Sequence, residues 1–502
     1  MTLALLQTGA MPKLAQPAIV AVAVVYFVIV AAIGAWATRR TRTASDFFVA
    51  GEGIGLIALT LAAMSATLSG FAFIGGPGLV YRGGLGAMYL VLPAAVTASM
   101  TSWVLAKRMR LLGEVRGLIT VPDAIGARYR SPLAQGLSGV AILIAVIGYM
   151  ATNLLALGLV IDSIFGTGLR TGVWIGMAVV LGYSVAGGIL AGVYTDVFQG
   201  TLMAVASVLV FLFTLKVGGG MGGISRTLMA ADPAFLGPFG TMGPGAALSL
   251  FFVFGVGSMG QPHVIHKFYM LRDPRRLKWY PLLVTCALLL TMLLYFGVGV
   301  AVKALVVKGQ LPALANPDDA TPIFLLRFTP VLLAALVFSG VAAAIMSTVN
   351  SFMSIGAAAV THDIPVALGM RTKNELRWGR IATVAISVAA AALAMLPGAL
   401  VAFLGIFGWG LFASTIVPAL GFGLNWEGAT RQGAIASISV GMAVTLAFET
   451  MAYFNVYSFP TGVTVSGLSL VLSILVFFAV SWATRARAAE QIDPDVRLVM
   501  SV

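Results

Sequence analysis

The chain has 502 residues, of which 60% are hydrophobic and only 9% charged, a balance that excludes a soluble globule and reads as a polytopic membrane protein. The net charge of +13 does not point to nucleic acid, because the basic residues fall in short stretches between apolar runs. The one cysteine, Cys286, lies inside such a run, which excludes a disulfide framework and a cysteine metal site.

In chain order, apolar runs of spanning length fall at about 17–37, 53–80, 84–106, 133–163, 169–187, 191–215, 243–265, 279–304, 322–360, 378–396, 398–424, 430–455 and 460–483, thirteen in all. The first is followed by arginines in place of a small-residue cleavage site, so it is expected to stay as a helix. An odd number of crossings puts the termini on opposite sides. With the N-terminus outside and the C-terminus cytoplasmic, 22 of the 30 Lys and Arg residues lie inside, among them the run Lys107 to Arg130 and the cluster Lys267 to Lys278. The stretches Gly218–Gly223 and Leu311–Thr321 are expected as outer loops. No soluble domain is expected after the last run, only a short tail through Asp493-Pro494-Asp495.

Two runs are interrupted by helix breakers. The second carries Ser69-Gly70-Phe71-Ala72-Phe73-Ile74-Gly75-Gly76-Pro77-Gly78, and the seventh carries Gly255-Val256-Gly257-Ser258-Met259-Gly260-Gln261-Pro262. They stand five spans apart, so they enter the membrane from opposite sides, as two inverted five-helix repeats require. Broken helices free backbone groups, which are tolerated in a membrane only where they line a cavity or bind something. Glycines that merely permit tight crossings are the competing explanation. Gly255, Gly257 and Gly260 also spell GxGxxG, but no strand precedes them and Pro262 follows, so a dinucleotide site is excluded.

The ninth run contains Ala344-Ile345-Met346-Ser347-Thr348. On a helix Ala344, Ser347 and Thr348 share a face, which puts two hydroxyl oxygens beside a small residue. Such a face can hold a dehydrated monovalent cation with ligands that do not titrate near neutrality. It can equally glue two helices or bond back to its own turn, and the residues alone leave both readings open.

Several motifs together resemble the sodium/solute symporter family: Ser45-Asp46-Phe47-Phe48-Val49-Ala50-Gly51; Thr120-Val121-Pro122-Asp123 with Arg128-Tyr129; Gly187-Gly188-Ile189-Leu190-Ala191 leading to Thr195-Asp196-Val197-Phe198-Gln199; Gly260-Gln261-Pro262-His263; and Ala344 to Thr348. The resemblance implies an amino-acid/sodium symporter-like fold and a sodium site made of backbone carbonyls of Ser65, Leu68 and Ala344 and the hydroxyls of Ser347 and Thr348. It implies that Asp196 assists sodium on its route, while a carboxylate at a helix N-terminus needs no function to sit there. Substrate contacts are implied on the broken helices and the third core span: Thr67, Phe71, Ala72, Tyr149, Phe254, Ser258, Gln261 and Pro262. Phe254 and Ser258 replace a tryptophan and a tyrosine of the family's proline permease, Thr67 replaces an aspartate, and Glu52 stands where an arginine is common. The stretch Phe71-Ala72-Phe73 lacks the acidic and amide groups of a sugar-contacting segment, so a sugar is disfavoured.

The three histidines, His263, His266 and His362, pair with no carboxylate or cysteine at metal spacing in the sequence, and are expected to be solvated or to face headgroups. Asp162, Arg327 and Glu449 are ionisable residues in or near spans, expected at an outer end, snorkelling, and at a packing interface respectively. No nucleophile with a base, nor a paired-carboxylate arrangement, indicates an enzyme.

The sequence is thus expected to form one transmembrane transporter domain, an all-α polytopic membrane protein of about 13 transmembrane helices. An extra first helix at 17–37 precedes inverted repeats at 53–215 and 243–424, and two extra C-terminal helices occupy 430–483. The resemblance implies a bacterial inner-membrane symporter that couples sodium, with no cofactor, to a small organic solute such as proline or a small carboxylate. Broken helices in opposed repeats disfavour a channel. The alternative is a transporter-like solute sensor acting with a separate signalling partner.

Overall fold

The computed structural model describes residues 17–39, 54–271, 273–370, 372–396, 401–457, 459–460, 462–487 and 492–502. The motif Ser45–Gly51, Glu52, Arg40 and Arg42 lie outside the described residues. Among those described there is no strand, only an isolated bridge between Ile54 and Leu271. The helices in chain order are α1 (Pro17–Thr38), α2 (Leu56–Thr67), α3 (Gly76–Gly83), α4 (Met88–Thr101), α5 (Lys107–Arg116), α6 (Val121–Tyr129), α7 (Pro132–Phe165), α8 (Leu169–Gly218) and α9 (Gly220–Ala231). They continue with α10 (Gly243–Val256), α11 (Tyr280–Val307), α12 (Ala320–Phe328), α13 (Val331–Ala358), α14 (Glu375–Ala394), α15 (Val401–Ile416), α16 (Arg431–Tyr453) and α17 (Val465–Ala483).

Among the described residues nine helices are long and apolar enough to cross a membrane, and the bent pair Leu56–Thr67 with Phe71–Pro93 makes a tenth. The apolar pieces Pro17–Ile33 and Leu169–Gly182 are shorter. No helix end is assigned near Gly187: helical hydrogen bonding runs for 50 residues from Leu169 through Gly218, more than twice the length that one crossing needs. Two adjacent glycines cost a helix about 1 kcal/mol each but remove no donor, so they do not force an end.

Prolines and a positive φ set the other departures. The run expected at 322–360 is divided, because Thr329 is extended (φ −116°, ψ 154°) ahead of Pro330, which ends α12 and starts α13. The glycine stretch expected as a loop holds only a tight cap: Gly219 and Gly220 take φ of 82° and 77°, then α9 begins. Downstream of α17, Arg116 of α5 binds Asp493 at 2.7 Å and Asp495 at 2.6 Å, which docks the last short helix, Pro494–Met500, against α5.

Burial separates a centre from a rim. In α13 and α7, 83% and 78% of the apolar window is buried, against 28% in α16 and 39% in α17. Hydroxyls and small residues therefore concentrate in the middle of the bundle, while the rim shows lipid-facing side chains such as Leu475 and Phe478.

The first break has a local cause. Leu68 is extended (φ −90°, ψ 94°), and the Gly70 N–H donates to Asn153 Oδ1 of α7 at 2.9 Å instead of continuing the ladder. A Cβ on Gly70 would stand 2.6 Å from Ala156 Cβ and 2.9 Å from Ile345 Cγ1, so only glycine permits this crossing. The chain turns by 59° and resumes as a π-helical turn, Phe71–Gly75. In the second break α10 passes through a 3₁₀ turn at Gly257–Gly260 to an extended Gln261 (φ −81°, ψ 105°). Pro262 holds Gln261 there, since it disfavours a helical residue before it and offers no N–H.

Candidate functional site

The first break abuts α13. Thr348 Oγ1 lies 3.0 Å from Ala344 O on its own helix and 3.0 Å from Ala66 O at the end of α2, so three oxygens from two helices converge there. The Ser65 hydroxyl donates to Met203 Sδ of α8 at 3.6 Å. Leu68 caps α2 at the same place. All five residues of the proposed sodium set are buried.

Ser347, the neighbouring hydroxyl on α13, donates its proton to Asp196 Oδ1 of α8. Its lone pairs stay free for a cation, because the hydrogen is committed to the carboxylate. Asp196 is not at a helix N-terminus, contrary to one expectation: it lies deep inside α8, 1% exposed, and pairs with Lys267 Nζ at 3.0 Å. Lys267 is also 1% exposed, although the sequence had placed it in a basic loop cluster. It follows the second break directly, in the 3₁₀ turn His266–Met270. One buried ion pair thus ties the second broken segment to α8 and, through Ser347, to α13.

Two cavities flank Thr67 and Trp409. The first is lined by Thr67, Leu68, Phe71, Ala72, Leu90, Val91, Tyr149, Phe254, Leu288, Met292 and Trp409, with about 400 Å³ of empty space. The second adds Thr101, Ser258, Gln261 and Tyr280 around about 350 Å³. Of the expected substrate residues, Thr67, Phe71, Ala72, Tyr149 and Phe254 therefore share one cavity, and Ser258 and Gln261 share its neighbour with Thr67. Pro262 joins neither; it lines a third cavity with Thr120, His266 and Asp363.

Aromatic rings close the space between the breaks. Phe71 stacks on Phe254 (centroids 6.0 Å), and Phe254 on Trp409 of α15 (4.9 Å). An indole therefore stands beside position 254, that of Trp409, whose Nε1 donates to Val253 O at 3.3 Å. Sequence reasoning missed it because α15 stays helical through Gly405, Gly408 and Gly410, and its aromatics read as packing. Asn153 was missed too, yet it holds Gly70 and donates to Tyr149 O at 2.9 Å. Tyr149 OH and Ser69 Oγ lie 3.4 Å apart across the first break. Ser258 Oγ bonds Thr101 Oγ1 at 2.7 Å, and Gln261 Nε2 bonds Gly257 O at 2.9 Å while Gln261 Oε1 is buried without a partner.

The histidine expectations fail. His263 and His266 are buried, and His266 Nε2 contacts Ile119 O at 2.8 Å. Burial pushes the His266 imidazole down to about 4, so it is neutral at pH 7. His362 does pair with carboxylates, Asp123 at 3.0 Å and Glu375 at 3.5 Å. Asp162 Oδ1 accepts from Gly168 N at 2.7 Å in the turn after α7. Arg327 is half-buried in α12, and Glu449 is half-buried on the rim helix α16.

A docked segment lies across the first broken helix. Thr321 Oγ1 donates to Phe73 O at 2.8 Å, and Asp318 Oδ2 accepts from Val401 N at 3.0 Å. Burial pushes Asp318 up to about 6 despite that hydrogen bond, and burial with the nearby Asp318 and Asp162 pushes Asp319 to about 6. Both values exceed the 3.8 of the free group, so the folded form holds more protons between these limits. The stabilising contribution is full below about pH 4 and is lost as pH rises through about 6. Thermal unfolding in detergent is expected at higher temperature at pH 5 than at pH 7, and the double change Asp318→Asn, Asp319→Asn is expected to shrink that difference. An unchanged pH difference in the double variant would count against this assignment.

A family model described as the sodium:solute symporter family matches residues 47–441. The osmoregulated proline transporter OpuE of Bacillus subtilis is 28% identical over 470 residues, covering 92% of this chain and 94% of its own length. The sodium/proline symporter of Escherichia coli is 26% identical over 470 residues (91% and 93%), and the sodium/pantothenate symporter of the same organism is 26% identical over 465 (90% and 94%). Among solved structures, a Na⁺-coupled sialic acid symporter in a substrate-bound outward-open state superposes with a TM-score of 0.76 at 17% identity, over 93% of this chain and 98% of that one. That likeness shows a shared fold.

Proposed function

From the premise that this chain belongs to the sodium:solute symporter family, we propose that it imports a compact organic solute, an amino acid such as proline or a small carboxylate, by alternating access. The chain is a multi-pass membrane protein of helices and a sodium-coupled solute symporter, a transporter and not an enzyme. In the finer reading the chain crosses a bacterial inner membrane thirteen times with its N-terminus outside. Residues 53–215 and 243–424 form inverted repeats, flanked by 17–37 and by 430–483.

The observation that carries the reading is the Thr348 hydroxyl held between Ala344 O and Ala66 O at the broken end of α2. A sodium ion taken up there, by Ser65 O, Leu68 O, Ala344 O and the hydroxyls of Ser347 and Thr348, would draw α13 and the break together. The first cavity begins at Leu68 and Phe71, on the same break, so ion and solute act on one element. One sodium moving down about 100 mV supplies roughly 2.3 kcal/mol, about fifty-fold accumulation before any sodium gradient is added.

The lining supports the solute class. Its walls are apolar and aromatic, with few polar groups: Thr67, Tyr149 and, next door, Ser258 and the unpartnered Gln261 Oε1. A sugar needs many more partners than these. The proline-transporting relatives support the same class, while Phe254, Ser258 and Thr67 narrow the transfer.

Uptake of a panel of labelled amino acids, monocarboxylates and sugars into proteoliposomes tests the proposal. Proline or a small carboxylate is expected to accumulate only with an inward sodium gradient, and Tyr149→Phe is expected to change the preference within the panel. Sodium-driven accumulation of a sugar would contradict the solute assignment.

A further inference from the structure

A second polar cluster has no part in the transport reading, although Asp363 lines a small cavity with Pro262 and His266 at the end of the second break. Asp123 lies on α6, His362 and Asp363 end the π-helical turn Ala359–Asp363 after α13, and Glu375 opens α14. One ligand-capable atom from each of Asp123, His362 and Asp363 lies within 4.8 Å of the other two. A tetrahedral zinc site with bonds of about 2.0–2.1 Å spaces its ligand atoms about 3.3 Å apart, so small side-chain rotations would close the triangle.

We propose that Asp123, His362 and Asp363 form a binding site for a first-row divalent cation of the zinc type. The geometry gives three reasons. First, the ligands are held by their surroundings: Gln135 Nε2 donates to Asp123 Oδ1 at 2.7 Å, and an oxygen with two lone pairs can keep that bond and still face a metal. Asp123 Oδ2 accepts from the N–H groups of Ile119 and Thr120 at 3.1 and 3.2 Å, which leaves Oδ1 turned toward His362. Thr120 Oγ1 fixes Asp363 Oδ1 at 2.6 Å. Glu375 Oε1 stands 3.5 Å from His362 Nδ1, where a carboxylate orients a metal-binding imidazole from behind.

Second, the donor types fit: one imidazole and two carboxyl groups converge within 4.8 Å, and these are ligands that a zinc-type cation takes. Third, the site is reachable and has a further position. His362 is 20% and Asp123 11% exposed, while Asp363 also lines a small enclosed space shared with Thr120 that holds about one water. An imidazole with two carboxylates favours zinc over calcium or magnesium, which prefer oxygen-only shells.

The test uses the full chain, purified in detergent with a tag that contains no histidine, and zinc ion alone as the probe. Competition against a chromophoric zinc indicator is expected to give one zinc per chain. His362→Gln and Asp363→Asn are each expected to weaken binding at least 100-fold without moving the metal-free thermal midpoint. Glu375→Gln is expected to weaken it about 10-fold, as the loss of an orienting partner does. Excess calcium is expected not to displace the zinc. Should His362→Gln fail to fold, X-ray absorption on the unaltered protein decides: a first shell of nitrogen and oxygen at about 2.0 Å with imidazole outer scattering is required. Absence of saturable zinc binding, or binding that His362→Gln leaves unchanged, would overturn the proposal and leave a histidine–carboxylate latch only.

Discussion

Ser347→Ala and Thr348→Ala are each expected to raise the sodium concentration for half-maximal uptake by about 10- to 100-fold. A hydrogen bond or ligand contact to a charged group contributes roughly 1.5–3 kcal/mol, and each 1.4 kcal/mol is a factor of ten. Thr348→Ala removes the side-chain oxygen set between Ala344 O and Ala66 O, so two carbonyls lose their shared partner as well. Ser347→Ala removes an oxygen whose proton is already committed to Asp196. The conservative change Thr348→Ser keeps the hydroxyl and is expected to stay within a few-fold of the unaltered protein. Sodium activation measured at fixed solute separates this from a packing defect, which would lower the maximal rate without shifting the sodium midpoint. Unchanged sodium midpoints in both alanine variants would place the ion elsewhere.

Breaking the Asp196–Lys267 pair is the second large effect. Both side chains are 1% exposed and 3.0 Å apart, so removal of one partner leaves an uncompensated buried charge. Such truncations cost about 3–5 kcal/mol, whereas replacing a whole pair by neutral groups of similar size is often nearly neutral. Lys267→Met alone and Asp196→Asn alone are each expected to lower the thermal midpoint in detergent markedly, and the double variant to recover most of the loss. Coupling also enters function, because Asp196 orients Ser347. The double variant, stable again, is therefore expected to keep a raised sodium requirement. Additive losses in the double variant would mean that the two residues act separately.

What the sequence made legible follows from local chemistry. Glycine and proline mark helix breaks in the chain itself, so the interruptions near Gly70 and Gln261 could be read without a structure. The hydroxyl face of α13 was legible from spacing alone. Its partners were not, because they come from distant segments: Ala66 is 282 residues from Thr348, and Asp196 is 71 from Lys267. Lys267 was read as a loop residue since it begins a basic cluster, and nothing within its own segment signals a buried acid on α8. Trp409 was invisible for a similar reason, as an aromatic in an unbroken apolar run reads as packing. The helix α9 was hidden by glycines that read as a loop, although two of them are a cap with positive φ. His362 and Asp123 are 239 residues apart, so their pairing was beyond any spacing rule.

The measurement that tests the account most directly is sodium flux driven by solute. Proteoliposomes with equal sodium on both sides, held at zero potential, receive an inward gradient of the solute identified by uptake, and labelled sodium entering the lumen is followed. Coupling requires solute to drive sodium as sodium drives solute. Net sodium accumulation that needs the solute gradient and is lost in Thr348→Ala is the predicted result. Solute entry with no accompanying sodium, at the same rate in both proteins, would contradict it.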